Sequence, residues 1–226
     1  MRRTRIKICG ITRPQDAAAA VEAGADAIGI VLHRAARRFV PIQLAGEIIR
    51  AVGPMVTTVG LFVDDEIDFV KRVANILHLH HLQLHGSEST AYVHQFCDYE
   101  VIKAIRIDKQ TIRSELQHWR DPGLTNLRGL VLETESEKVG GSGIENDWQT
   151  IANLISEGAF NGLPPIIAAG GLTPRNVRQV VTQIRPFAVD VSSGVETSFG
   201  EKSAEKIRDF VDQVRTFDAQ LNEENQ

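Results

Sequence analysis

Short runs of β-branched and other apolar residues alternate along the chain with stretches whose apolar positions recur at helical spacing, which predicts strands and helices in regular succession. Ile6-Lys7-Ile8-Cys9 reads as a first strand broken by Gly10, and Pro14-Gln15-Asp16 opens a helix that Gly24 closes. Ala27 to Leu32 is nearly all apolar, as suits a parallel strand covered on both faces. Pro41 begins a helix to about Val52, Met55 to Val63 is a third strand, and Asp65 to His78 a helix with Ile67, Val70, Val73, Ala74 and Leu77 at core-facing spacing. Leu82 to Leu84, Glu88 to Cys97 and Glu100 to Ile105 continue as strand, helix and strand. Cys97 falls beside Phe96 as inert packing. A weaker helix from Asp108 to Trp119 ends at the loop Asp121-Pro122-Gly123. Gly129 to Leu132 is a sixth strand, followed by a glycine-bearing loop to Asp147 and a helix to Gly158. Pro165 to Ala169, a helix capped by Thr173-Pro174 and running to Ile184, and Phe187 to Val191 complete eight strand candidates. A last helix from Ser203 to Phe217 gives way to residues 218–226, expected to be a disordered polar tail.

Eight strands, each followed by a helix, within 226 residues fit a single-domain (β/α)8 TIM barrel. A doubly wound open sheet is the competing layout, but Cys9-Gly10-Ile11-Thr12 is not the G-x-G-x-x-G turn expected there. No stretch reads as a linker, so residues 1–226 form one domain. The balance of 25 basic and 29 acidic side chains leaves a charge of −4, which gives no electrostatic reason to expect nucleic acid or an anionic membrane as partner. Two cysteines cannot build a disulfide framework, nothing resembles a secretory signal, and the apolar stretches are too interrupted to span a bilayer. A reducing, cytoplasmic setting is the expectation.

In a barrel the reacting groups sit at the C-terminal ends of the strands. The residues there are polar or glycine: Cys9, His33, Asp64, His85, Arg106, Glu133, Gly170-Gly171 and Ser192-Ser193-Gly194. The glycine-bearing loops after strands seven and eight fall where barrels bind phosphate through backbone N–H groups, although either alone could be a tight turn. Cys9 is either a small buried hydrophobe or a thiolate that moves a proton. Glu133 could oppose it as an acid across a phosphosugar, while Glu135 and Glu137 compete for that role from the following loop; strand register favours Glu133. The run from His78 to His85 crosses from helix to strand, so its side chains diverge and a metal is not expected. His85 alone of these belongs near the site.

At Lys7-Ile8-Cys9-Gly10-Ile11-Thr12 the chain resembles the phosphoribosylanthranilate isomerases of tryptophan biosynthesis. Gln83-Leu84-His85-Gly86, Gly140-Gly141-Ser142-Gly143, Ala169-Gly170-Gly171-Leu172 and Val189-Asp190-Val191-Ser192-Ser193-Gly194-Val195-Glu196 extend the match in order. The resemblance implies an Amadori rearrangement of N-(5-phosphoribosyl)anthranilate without metal or organic cofactor, on a small phosphosugar substrate, by a monomer or homodimer. It implies Cys9 as general base, the carboxyl ending strand six as general acid, Arg38 facing the anthranilate, His85 in substrate binding, and Gly171, Ser193 and Gly194 around the phosphate.

The chain departs from the family pattern at the barrel mouth. The family's acidic aspartate is Glu133 here, which moves the carboxyl by about 1.5 Å in a setting where a 1 Å misplacement can cost about a hundredfold. Ala36-Arg37 replaces a serine-proline, Asn146 a phenylalanine, and Gly200-Glu201-Lys202-Ser203 a glycine-lysine-lysine-aspartate run. A paralogue acting on another phosphosugar or aminosugar, or a non-catalytic phosphosugar-binding barrel, stands as the alternative.

Overall fold

A computed structural model describes residues 3–121, 123–134 and 148–224 of the chain. Strands β1 (Arg5–Ile8), β2 (Ala27–Val31), β3 (Thr57–Phe62), β4 (His81–Leu84), β5 (Glu100–Ile107), β6 (Leu127–Thr134), β7 (Ile166–Ala169) and β8 (Ala188–Val191) pair in that order. Every pairing is parallel, and β1 returns to β8 with Lys7 opposite Asp190 and Ile8 opposite Val191, so the sheet closes into a (β/α)8 TIM barrel.

Helices α1 (Pro14–Glu22), α2 (Ile42–Val52), α3 (Ile67–Leu77), α4 (Thr90–Val93), α5 (Ile112–His118), α6 (Trp148–Ser156), α7 (Val177–Ile184) and α8 (Ala204–Glu224) follow their strands. The outward strand residues, among them Ile6, Ile8, Ile28, Ile30, Leu82 and Leu84, are fully buried against the helices' apolar stripes. A separate inner cluster of Val59, Ile102, Val131, Ile167, Ala169 and Ala188 fills the barrel and forms the base beneath the mouth.

Four features differ from the sequence expectation. Residues Glu88 to Cys97 hold only the single turn α4 and a 3-10 turn over His94–Phe96, and Cys97 is exposed rather than packed. A two-stranded antiparallel hairpin, β9 (Glu196–Ser198) and β10 (Glu201–Lys202), follows β8 over the mouth; such short strands leave little periodicity to read. The polar segment from residue 218 is not a free tail as far as Glu224, because α8 runs through it. Its anchor is Asp218, whose carboxylate accepts the Thr4 N–H at 2.9 Å and the Thr4 hydroxyl at 2.8 Å in a buried contact. The expectations for Glu135, Glu137, Gly140-Gly141-Ser142-Gly143 and Asn146 lie outside the described residues.

Candidate active site

The C-terminal strand ends deliver Cys9 from β1, His85 from β4, Glu133 from β6, Gly170-Gly171 from β7 and Ser192-Ser193 from β8 around one cavity of about 410 Å3. Arg37 and Arg38 line the same cavity from the loop after β2, and Gln83 and Asp190 line its depth. A second cavity of about 650 Å3 adjoins it, sharing His85 and Glu133 and continuing past Arg106, Trp119 and His118.

The floor is a buried polar layer in an otherwise apolar barrel. Alternation along β1 puts Lys7 on the same inward face as Cys9. The Lys7 ammonium donates to Asp190 Oδ2 at 2.6 Å, both side chains being under a tenth exposed, and its charge acts on the neighbouring Cys9 thiol as well. Burial works against the Lys7 charge, but Asp190 and Cys9 outweigh it, so the ammonium holds its proton more tightly than usual. Burial pushes the Cys9 thiol up; Lys7 and Lys202 pull it down and Asp190 pushes it further up, leaving it above its ordinary value. The resting sulfur is therefore a thiol with a cation beside it to receive the thiolate. Gly29 on β2 makes room for this layer, since a Cβ there would lie 2.7 Å from Cys9 Sγ and 3.1 Å from Lys7 Nζ.

Opposite the sulfur, Glu133 Oε2 meets His85 Nε2 at 2.8 Å. Burial raises the Glu133 carboxyl, but the hydrogen bond and charge of His85, with Lys7 and Arg106, more than offset it and hold the group below its ordinary value. The other ring nitrogen, Nδ1, lies 3.1 Å from the side-chain nitrogen of buried Gln83, two residues earlier on the same inward face of β4. The loop bearing His85 is held from behind. Buried Glu88 accepts from the N–H groups of Asp64 and Gly86, and pairs at 3.0 Å with buried Lys103, which donates to Gly86 O at 2.8 Å.

Gly170 and Gly171 have φ of +82° and +64°, the left-handed region that glycine enters without strain. Gly194 answers a different need. A Cβ on it would stand 1.9 Å from Leu172 O, so its bare backbone lets the β7 and β8 loops touch, next to Ser193 and Gly171 of the cavity lining. Arg38 is bound rather than free: Nε and Nη2 donate to the Glu196 carboxylate at 2.8 and 2.7 Å. Lys202, its side chain fully buried, reaches the same carboxylate at 2.9 Å and Ser192 O at 3.1 Å. Phe199 at the hairpin tip carries the guanidinium carbons of Arg37 and Arg38 at 4.1 and 4.2 Å from its ring centre.

The family model described as N-(5′-phosphoribosyl)anthranilate (PRA) isomerase matches residues 6–213. The chain belongs to this family. It is an isomerase by that membership, and its relatives agree. The N-(5′-phosphoribosyl)anthranilate isomerase of Geobacter metallireducens is 41% identical over 92% of this chain and 96% of its own length. That of Pseudomonas fluorescens is 42% identical over 95% of this chain and all of its own. The crystal structure of the Thermotoga maritima isomerase superposes with a TM-score of 0.83 at 34% identity, covering 94% of this chain and 99% of that one. A further isomerase structure, solved with reduced 1-(o-carboxyphenylamino)-1-deoxyribulose 5-phosphate, superposes with a TM-score of 0.80 at 31% identity, over 94% of this chain and 99% of that one.

The candidate site thus brings Cys9, Glu133, His85, Arg38, Gly171 and Ser193 to the lining of one cavity, and Gly194, next to Ser193, sets the β8 loop against Leu172. Sequence reasoning passed over Lys7, Gln83, Asp190 and Lys202 as site residues. The first three carried a readable signal: each is a polar residue inside an apolar strand, two positions before the residue that ends the run at the mouth. Among the described residues no group of three or more His, Cys, Asp or Glu side chains could hold a metal ion, and no helix is long and apolar enough to cross a membrane.

Proposed function

We propose that the protein catalyses the Amadori rearrangement of N-(5′-phosphoribosyl)anthranilate to 1-(o-carboxyphenylamino)-1-deoxyribulose 5-phosphate, a step of tryptophan biosynthesis. The observation that supports this most is that Cys9 and the Glu133–His85 contact face one cavity whose far wall is the pair of glycine-bearing loops after β7 and β8. The main-chain N–H groups of Gly171, Ser193 and Gly194 take the phosphate, and that anchor sets the ribose between sulfur and carboxyl. The acid delivers a proton to the furanose ring oxygen, the C1–O bond breaks, and the anilino nitrogen carries the resulting Schiff base. Cys9, as the thiolate left beside the Lys7 ammonium once the resting thiol has released its proton to solvent, removes the C2 proton into that electron sink. The enol oxygen then returns a proton to the acid and C1 receives one from the thiol, which leaves the ketone and resets both groups. Nη1 of Arg38, the part of its guanidinium not engaged by Glu196, faces the anthranilate carboxylate.

No metal or organic cofactor enters this scheme, because the substrate nitrogen supplies the sink. Purified protein should abolish the anthranilate-linked fluorescence of freshly generated substrate. Absence of that loss with correctly folded wild-type protein would overturn the assignment.

A further inference from the structure

A general acid needs a proton to give, yet the surroundings of Glu133 hold its carboxyl below the ordinary value. The residues around it resolve this. Glu133 Oε2 and His85 Nε2 are 2.8 Å apart, a distance at which one hydrogen lies between the two atoms. Which atom owns it depends on the other edge of the ring. Buried Gln83 sets its nitrogen 3.1 Å from Nδ1, while its oxygen is buried with no donor among the described residues. Turning the amide end for end keeps its shape and gives the oxygen the Nδ1–H as donor, with the amide nitrogen moving to the buried position the oxygen now holds. With a hydrogen fixed on Nδ1, neutral His85 offers Nε2 as an acceptor, and the hydrogen it accepts is the acid proton of Glu133.

We propose that the acid of this site is the His85–Glu133 pair, which holds a single shared proton, and that Gln83 fixes it there by accepting from Nδ1. The inference rests on the proposed isomerase reading and deepens it. Glu133 is the catalytic residue, passing the proton to the ring oxygen and taking one back from the enol. His85 and Gln83 are positioning residues acting through it. As the proton leaves Glu133 Oε2 for the sugar, the pair is left as a carboxylate beside a neutral ring; when the enol gives its proton up, the pair is restored, so no outside donor is needed. The charged groups facing the pair are Lys7 from β1, which also meets Asp190 from β8, and Arg106 from β5. Lys103 and Glu88 neutralise each other behind the loop.

Two measurements test it. The first does not depend on turnover. In 15N-histidine NMR of the unliganded protein, with His85 assigned by its loss in His85→Asn, the neutral ring should carry its hydrogen on Nδ1, and Gln83→Met should relax that preference toward Nε2. A neutral ring in wild type with the hydrogen on Nε2 would overturn the pair. The second is the pH profile of turnover. His85→Asn should lower kcat by at least about tenfold with KM changed less than about threefold, and should move the limb of the profile that reports the acid to lower pH. Unmoved limbs with the loss confined to KM would make His85 a substrate-binding residue only and sink the proposal. Should wild type show the expected tautomer and no isomerase activity, the activity reading fails while the shared proton stands.

Discussion

Lys7 and Cys9 share one face of β1, and the Lys7 ammonium spans from the Cys9 sulfur to the Asp190 carboxylate across the seam where the barrel closes. The cation lowers the cost of forming a thiolate that burial otherwise opposes. Lys7→Met should therefore raise the thiol's titration further, slow alkylation of Cys9 by iodoacetamide at fixed pH, and cut kcat by roughly one to two orders of magnitude. It should also destabilise the fold by about 3–5 kcal/mol, because Asp190 is left charged and buried alone. Pairing it with Asp190→Asn should restore much of the stability, read by urea unfolding, and none of the rate. Cys9→Ala should retain the fold and abolish turnover.

Glu133→Asp separates two views of the glutamate. The shorter side chain withdraws the carboxyl from His85 by about 1.5 Å and breaks the 2.8 Å contact. A fall in kcat of about tenfold or more is expected, with KM little changed. A gain in rate would mean that the present glutamate is a handicap rather than part of an adapted pair.

Gly194→Ala places a Cβ at 1.9 Å from Leu172 O, and a backbone atom cannot swing aside as a side chain can. The β7 and β8 loops must part, carrying Gly171 and Ser193 with them. The expected result is a rise in KM, weaker protection of the protein by inorganic phosphate in thermal melts, and a loss of about 1–3 kcal/mol. Unchanged phosphate affinity would count against an anion site shared by the two loops.

Glu88 makes the loop after β4 acid-sensitive. Burial raises its carboxyl, but the N–H of Asp64, the charge and hydrogen bond of Lys103 and its own backbone N–H outweigh that and depress it below its ordinary 4.5. A depressed folded value means that its contribution is present in full above about pH 4.5 and is lost as pH falls through the folded value. Glu88→Gln should lower stability at neutral pH by about 2–3 kcal/mol and flatten the acid side of the stability profile below pH 4.5. An acid limb as steep as that of wild type would place the sensitivity elsewhere.

The barrel was legible because its strands are buried on both sides, and a run such as Ala27 to Val31 has little else it can be. The mouth residues were legible by position, since strand ends in a closed parallel sheet converge. What escaped was decided by long-range pairing. Nothing local to Arg38 announces that Glu196, 158 residues away, occupies two of its nitrogens, or that Lys202 reaches the same carboxylate. The hairpin of β9 and β10 is too short for a period to show. Asp218 looked like part of a solvated tail because its partner, Thr4, is 214 residues distant.

That clasp bears on how the protein is made. β1 is translated well before its neighbour β8, and the Asp218 latch on Thr4 follows later still. Until the ribosome has delivered residues 188–191, the first strand has one edge open and Lys7 waits without Asp190 as its counterion; the latch on Thr4 waits for residue 218. Assembly of the reactive sulfur's surroundings is therefore deferred until β8 has emerged, and a nascent chain stalled short of β8 would hold Cys9 in an unsealed ring.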